Sequence, residues 1–183
     1  EQVHVAIGWR GLPLADEDRY AMWVANHVLG GGMSSRLFQE VREKRGLCYS
    51  IFAQTEAYAD SGMTTIYAGT GEDQLAELMT ITLDEMHRAA DDMNDQEVAR
   101  ARAQMKAGML MGLESPSSRT ERLARMVQIW GRVKSLDEAI EQIDAVTTAD
   151  VRQFAANLVS KAPAAMALYG PVSQGPALDA LKS

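Results

Sequence analysis

Cysteine is nearly absent from this sequence: Cys48 is the single one in 183 residues. No disulfide can close within the chain, which suits a reducing compartment and sets the expectation of a cytoplasmic protein. No apolar run approaches the roughly 20 residues that cross a bilayer, so no membrane partner is expected. No block of lysine or arginine stands out, and the formal net charge is −7. Nucleic acid is disfavoured as a partner, because phosphate contacts need a cationic surface that displaces counterions. Histidine is scarce as well, limited to His4, His27 and His87. No two of them lie within helical reach, and neither H-E-x-x-H nor the inverted H-x-x-E-H occurs. Zinc takes three or four convergent ligands, so no metal site is expected inside the chain. His87, flanked by Asp84 and Asp91, reads as part of a solvated helix face. An initiating methionine is missing too. The sequence opens directly in a strand pattern, "EQVHVAIGWRG", and the true N-terminus is expected to lie upstream.

Apolar residues, at 46%, are plentiful enough for a packed core, and the length fits one domain spanning residues 1–183. Val3, Val5 and Ile7 alternate with His4, Ala6 and Gly8, the period of a strand. Asp16 is the predicted cap of a helix carrying Met22, Trp23, Val24 and Val28, which stops at Gly30 to Gly32, where left-handed geometry is easy. Ser34 or Ser35 starts a second helix with Leu37, Phe38 and Val41 on its apolar side. Gly46 is its predicted C′ residue, with Leu47 packing back on Val41. "LCYSIFAQTEAY" and "MTTIYAG" form a hairpin about "ADSG". Helical spacing then runs from Gly71 to about residue 160. It is punctuated by four apparent capping boxes: Asn94 with Glu97, Ser118 with Glu121, Ser135 with Glu138, and Thr147 with Asp150. Leu123, Met126, Val127 and Trp130 make the apolar side of one of these helices. The methionine-rich run "MKAGMLMGL" is expected to be adaptable core or an interdomain contact. "AAMALYG", residues 164–170, is the last strand, and "PVSQGPALDALKS" an exposed tail or the start of a helix. Strands early, one late return and helices between them predict an α+β layer: an antiparallel or mixed sheet with helices on one face.

Chemistry is harder to locate. "LGGGMSS" precedes a helix and could hold an anion, yet it lacks both the GK[ST] ending of a P-loop and the G-x-G-x-x-G spacing. Its three glycines most simply make a sharp reversal. Cys48 follows Arg42, Lys44 and Arg45, which could lower a thiol pKa, but no histidine is near in sequence. Arg42 and Tyr49 remain. Two readings stand for them: one exposed helix charge and one core tyrosine sharing parity with Leu47 and Ile51, or a pair aimed at a ligand.

The stretch "LGGGMSSRLFQEVREKRGLCYSI" closely resembles the second domain of the M16 zinc metallopeptidases, the pitrilysin and mitochondrial processing peptidase family. The likeness continues through "SRTERLARMVQIWGR" and "SLDEAIEQIDAVTTADVRQFAANLV" and covers roughly residues 1 to 170. It implies an M16/LuxS-like α+β domain that occurs as homologous copies, two of which close like a clam shell. In that family the first copy bears the H-x-x-E-H zinc helix. A later copy bears an arginine and a tyrosine seven residues apart that face the zinc. The matching positions here are Arg42 and Tyr49, implied to bind the scissile peptide, with Tyr49 catalytic through its hydroxyl. Gly30, Gly31 and Gly32 are expected near the substrate chamber. Zinc would come from an absent N-terminal half, so the chain alone is expected to be inactive. The implied partners are peptide substrates and an N-terminal M16 domain of the same or a partner chain, with a dimer at full length. A non-catalytic scaffold subunit, like the core proteins of the respiratory bc1 complex, is the alternative.

Overall fold

The computed structural model describes residues 2–161 and 164–173. Four strands form one antiparallel sheet: β1 (Val3–Gly11), β2 (Ser50–Ala57), β3 (Gly62–Thr70) and β4 (Ala165–Tyr169), in the order β2-β3-β1-β4. Register pairs Ile7 with Ile66 and with Met166, so the apolar residues of three strands fall on one face. On β1 that face carries Val3, Val5, Ile7 and Trp9, all buried. His4, Ala6, Gly8 and Arg10 point the other way, as the period of two requires.

Helices cover only the apolar face. They are α1 (Arg19–Gly30), α2 (Leu75–Asp92), α3 (Asp95–Gly112), α4 (Pro116–Trp130), α5 (Leu136–Ala145) and α6 (Thr148–Lys161). α1 packs on β2, and α6 packs on β1 and α2. Met22, Leu29, Leu37, Leu78 and Met86 fill the space between the layers with at most 2% exposure. Each such side chain contributes roughly 1.5–3 kcal/mol by leaving water. The α+β architecture is therefore the expected one, and the sheet is antiparallel throughout. Among the described residues no helix is long and apolar enough to cross a membrane.

Several local expectations are corrected. Asp16 does not cap α1. Its carboxylate accepts the Asp18 N–H at 2.9 Å, holding the turn one step upstream, and the helix begins at Arg19. α1 ends without a left-handed residue: Gly31, its C-cap, sits at φ −82°. Gly30 is there for packing instead, since a Cβ would lie 2.3 Å from the backbone nitrogen of Ala53 on β2. Ser118 does not cap α4; Ser115 does, and Ser118 donates its N–H to the Ser115 hydroxyl at 3.3 Å. Pro116 decides this, because proline fits the first helical position and forces its predecessor out of the helix. The Asn94–Glu97 box is complete, and Thr147 and Asp150 exchange backbone bonds in the same way. Ser135 caps α5 alone, as the Glu138 carboxylate turns to Arg132. α4 buries none of its residues, so Leu123, Met126, Val127 and Trp130 do not join the core. Met105 and Met109 pack against the core edge, while Leu110 and Met111 are exposed. Most of the C-terminal tail, from residue 174, lies outside the described residues.

Candidate functional site

The second helix is not an α-helix for most of its length. Phe38–Glu43 is π-helical, and the Lys44 N–H reaches the Gln39 carbonyl at 3.0 Å. Such wide turns are rare and concentrate where a side chain has to be re-aimed. Gly46 then stops the helix in the left-handed region, at φ +65°. Gly46 donates to the Arg42 carbonyl and Leu47 to the Val41 carbonyl, each at 3.0 Å. Both bonds span one residue more than the usual glycine stop, which carries the wide turn through to the helix end.

Leu47 and Ile51 are buried, as expected, but Tyr49 between them is 75% exposed. The chain bends at Tyr49 and the strand begins only at Ser50. That bend breaks the parity which would have put the ring in the core. The Tyr49 N–H is still anchored to the Gly69 carbonyl at 3.0 Å, so the exposed ring stands on a fixed backbone. Across from it, the Arg42 guanidinium carbon lies 5.9 Å from the Tyr49 ring centroid and 4.6 Å from that of Phe38. Arg42 also sits 3.9 Å from Glu43, at the limit of an ion pair, and its side chain is 38% exposed. The structure thus brings Arg42 and Tyr49 onto one accessible surface, with Phe38 as the base of the guanidinium.

A residue that sequence reasoning missed holds this segment in place. Arg36, in the turn before the π-helix, donates from Nε and Nη2 to the two oxygens of Glu97, both at 2.7 Å, and from Nη1 to Asp92. Burial opposes the Arg36 charge, but the bonds and fields of Glu97 and Asp92 outweigh it and raise its pKa. One guanidinium therefore ties the segment to the junction of α2 and α3. Nothing local in "SSRLF" signals a partner some sixty positions away. Lys44 and Arg45 both bond to Glu40 and hold its carboxyl below the usual range.

The uncovered sheet face beside Tyr49 carries an aromatic row. Tyr67 lies with its ring centroid 5.0 Å from Phe52 and 6.0 Å from His4, and His4 lies 6.3 Å from Tyr169. The Tyr67 hydroxyl and His4 Nδ1 share a 2.7 Å hydrogen bond. Gly69 separates Ser50 from His4 across the same row, leaving the surface low beside Tyr49. The alternation on β1 marked the face but not what β3 would set beside it.

Other candidates stand apart. Cys48 is buried, and burial pushes its thiol up to about 11 against the opposing field of Arg42. Desolvation thus outweighs the Arg42 field, which is the opposite of what an activated thiol needs. Gly31 is closed against His27, where a Cβ would lie 2.7 Å from the ring, and only Gly32 has open space. Zinc does not fit: among the described residues no three His, Cys, Asp or Glu side chains converge to hold a metal.

Comparison with known proteins accounts for the fold. The family described as "Peptidase M16 inactive domain" matches residues 1–105. An uncharacterized zinc protease of Streptomyces coelicolor is 41% identical over 173 residues, 94% of this chain and 38% of its own length. The uncharacterized zinc protease YmxG of Bacillus subtilis is 41% identical over 179 residues, 96% of this chain and 43% of its own length. The chain therefore spans about two fifths of the curated relatives it matches. Among solved structures, a chain of complex III from Candida albicans superimposes with a TM-score of 0.83 at 24% identity, covering 92% of this chain and 43% of that one. A protease from Helicobacter pylori does so with a TM-score of 0.77 at 19% identity, covering 93% of this chain and 41% of that one. These two likenesses carry the fold alone, whereas the family match extends over more than half of the sequence, so the chain belongs to the peptidase M16 family, in the domain whose description calls it inactive.

Proposed function

We propose that residues 1–183 form the C-terminal, substrate-binding domain of an M16 zinc endopeptidase, whose zinc-binding half lies outside this chain. The observation that carries the reading is the exposed pair at the helix–strand junction, Arg42 and Tyr49, held 5.9 Å apart on an anchored backbone. When a peptide carbonyl is attacked, negative charge grows on its oxygen. The Tyr49 O–H donates a hydrogen bond to that oxygen. The planar Arg42 fork holds a neighbouring substrate carbonyl and fixes the backbone direction. β2 is an edge strand of the sheet, beside which an extended peptide can lie. Of the glycine run, Gly32 is the position open to such a peptide. The attacking group belongs to the partner domain; among the described residues no metal-holding cluster replaces it. Within this reading the full-length protein is a cytoplasmic dimer taking peptides or unfolded segments.

Steady-state kinetics of the full-length protein test the assignment. Tyr49→Phe lowers kcat by about 100-fold with little change in KM, because the hydroxyl acts in the transition state. Arg42→Ala raises KM. An unchanged kcat for Tyr49→Phe sinks the proposal and leaves the scaffold reading in place.

A further inference from the structure

The chain is acidic overall, at −7, yet one groove on it has the opposite sign. The C-terminal end of α3 and all of α4 lie outside the buried core, and Leu110, Met111, Leu123, Val127 and Ile129 on them are exposed. Between these two helices, α1 and α5 lies a cavity of about 680 Å³, lined by Trp23, Met105, Met109, Met126 and Trp130. Arg19, Arg122, Arg125 and Lys134 line it, against Glu121 as the single acid among its lining residues.

Two of these cations have no ion-pair partner among the described residues. Arg19 is only 8% exposed. Its Nη1 donates to the Asp16 carbonyl at 2.8 Å, and its guanidinium carbon lies 4.5 Å from the Tyr20 ring centroid and 5.2 Å from that of Trp130. Among the described residues no carboxylate lies within ion-pair distance of it. Arg122 is only partly buried, but its Nη2 atom is enclosed and has no acceptor among the described residues. Lys134 stands 3.8 Å over Trp130, and burial, then the Arg19 charge, lower its pKa. A desolvated guanidinium without a counter-ion is costly. An apolar lining beside unmatched cations is the complement of an apolar segment that carries carboxylates.

We propose that this groove seats such a segment, supplied by the part of the full-length protein that lies outside this chain. The inference rests on reading the chain as one half of a longer protein. Its curated relatives supply the length, since 38% to 43% of each is covered here. The chain itself, where it is described after α6, does not line the groove. It leaves β4 at Tyr169, which pairs with His4 at the start of β1, whereas Leu14 of the groove follows the far end of β1.

The test uses the full-length protein and does not read activity. Zero-length carbodiimide coupling with peptide mapping should join Lys134 to an aspartate or glutamate outside residues 1–183. Amide hydrogens of 116–130 should exchange slowly, and Arg122→Glu, on a helix that buries nothing in the core, should speed their exchange at least tenfold. Arg88→Gln, on an exposed site of α2, should leave that exchange unchanged. Coupling of Lys134 to residues 174–183, or to a second copy in isotope-mixed protein, overturns the proposal. So does unprotected exchange of 116–130 in the unsubstituted protein. A protected groove with Tyr49→Phe kinetically silent would instead overturn the peptidase reading and leave this one standing.

Discussion

The amide of Leu47 donates to the carbonyl of Val41 at 3.0 Å, six residues back along the chain. The bond closes only because Gly46 between them sits at φ +65°. A side chain there would put its Cβ in open space, so the cost of replacing Gly46 is backbone strain alone. Gly46→Ala should therefore lower stability by about 1–2 kcal/mol, and Gly46→Asn by less, as asparagine tolerates the left-handed region. Urea unfolding midpoints at constant m check both.

Gly30 and Gly32 make a contrasting pair. A Cβ at Gly30 would lie 2.3 Å from Ala53 N and 2.6 Å from Ala53 Cβ, whereas one at Gly32 meets nothing within 4 Å. Gly30→Ala has to push α1 off β2, at a cost on the order of 1–3 kcal/mol. Gly32→Ala should fall within about 0.5 kcal/mol of the unsubstituted protein. Equal melting temperatures for the two variants would contradict the packing account.

Arg36 sets the acid limit of the fold. Burial is the largest single influence on the Glu97 carboxyl and raises it, but the Arg36 bond, the Asn94 N–H bond and the Arg36 charge together outweigh burial and the net pKa is lowered. For Asp92 the Arg36 bond is itself the largest influence, and it too is lowered. A carboxyl depressed in the folded state binds fewer protons there than in the unfolded chain. Its contribution is complete above the ordinary carboxylate range and disappears as pH falls through the folded value. Stability should thus decline below about pH 4.5, and Arg36→Leu should flatten that decline while costing about 2–4 kcal/mol at pH 7. Chemical denaturation at a series of pH values separates the two effects.

Cys48 offers a direct check on its surroundings. With its thiol raised to about 11 by burial, little thiolate is present at pH 8. Iodoacetamide should label it on the order of 100-fold more slowly in the native protein than in urea. Labelling at the rate of a free cysteine would show that the strand entry opens.

Much of this architecture could be read from the sequence. β1 declared itself by a period of two, and the Asn94 and Thr147 caps marked α3 and α6, because such signals are local and the fold agrees with them. The failures have physical causes that act over distance. Ser118 lost its capping role to Ser115 because Pro116 fixed the start of α4. Tyr49 shares parity with Leu47 and Ile51, and only a bend not encoded by hydrophobic spacing turns it outward. The amphipathic pattern of α4 was legible, but its burial was not, since a pattern cannot say which surface it meets. Arg42 and Tyr49 were identified by resemblance, and their proximity by the fold; the aromatic row beside them needed the pairing of β1 with β3.

The π-helical run Phe38–Glu43 has a consequence for how this junction can change over evolution. The wide turn closes i to i+5 bonds where an α-turn closes i to i+4, so deleting one residue between Phe38 and Arg42 would let it close as an α-turn and re-aim Phe38 relative to Arg42. Substitutions there can be tolerated one by one, but indels cannot. Among homologues that keep the same chemistry, the span from arginine to tyrosine should be invariant in length even where its letters drift.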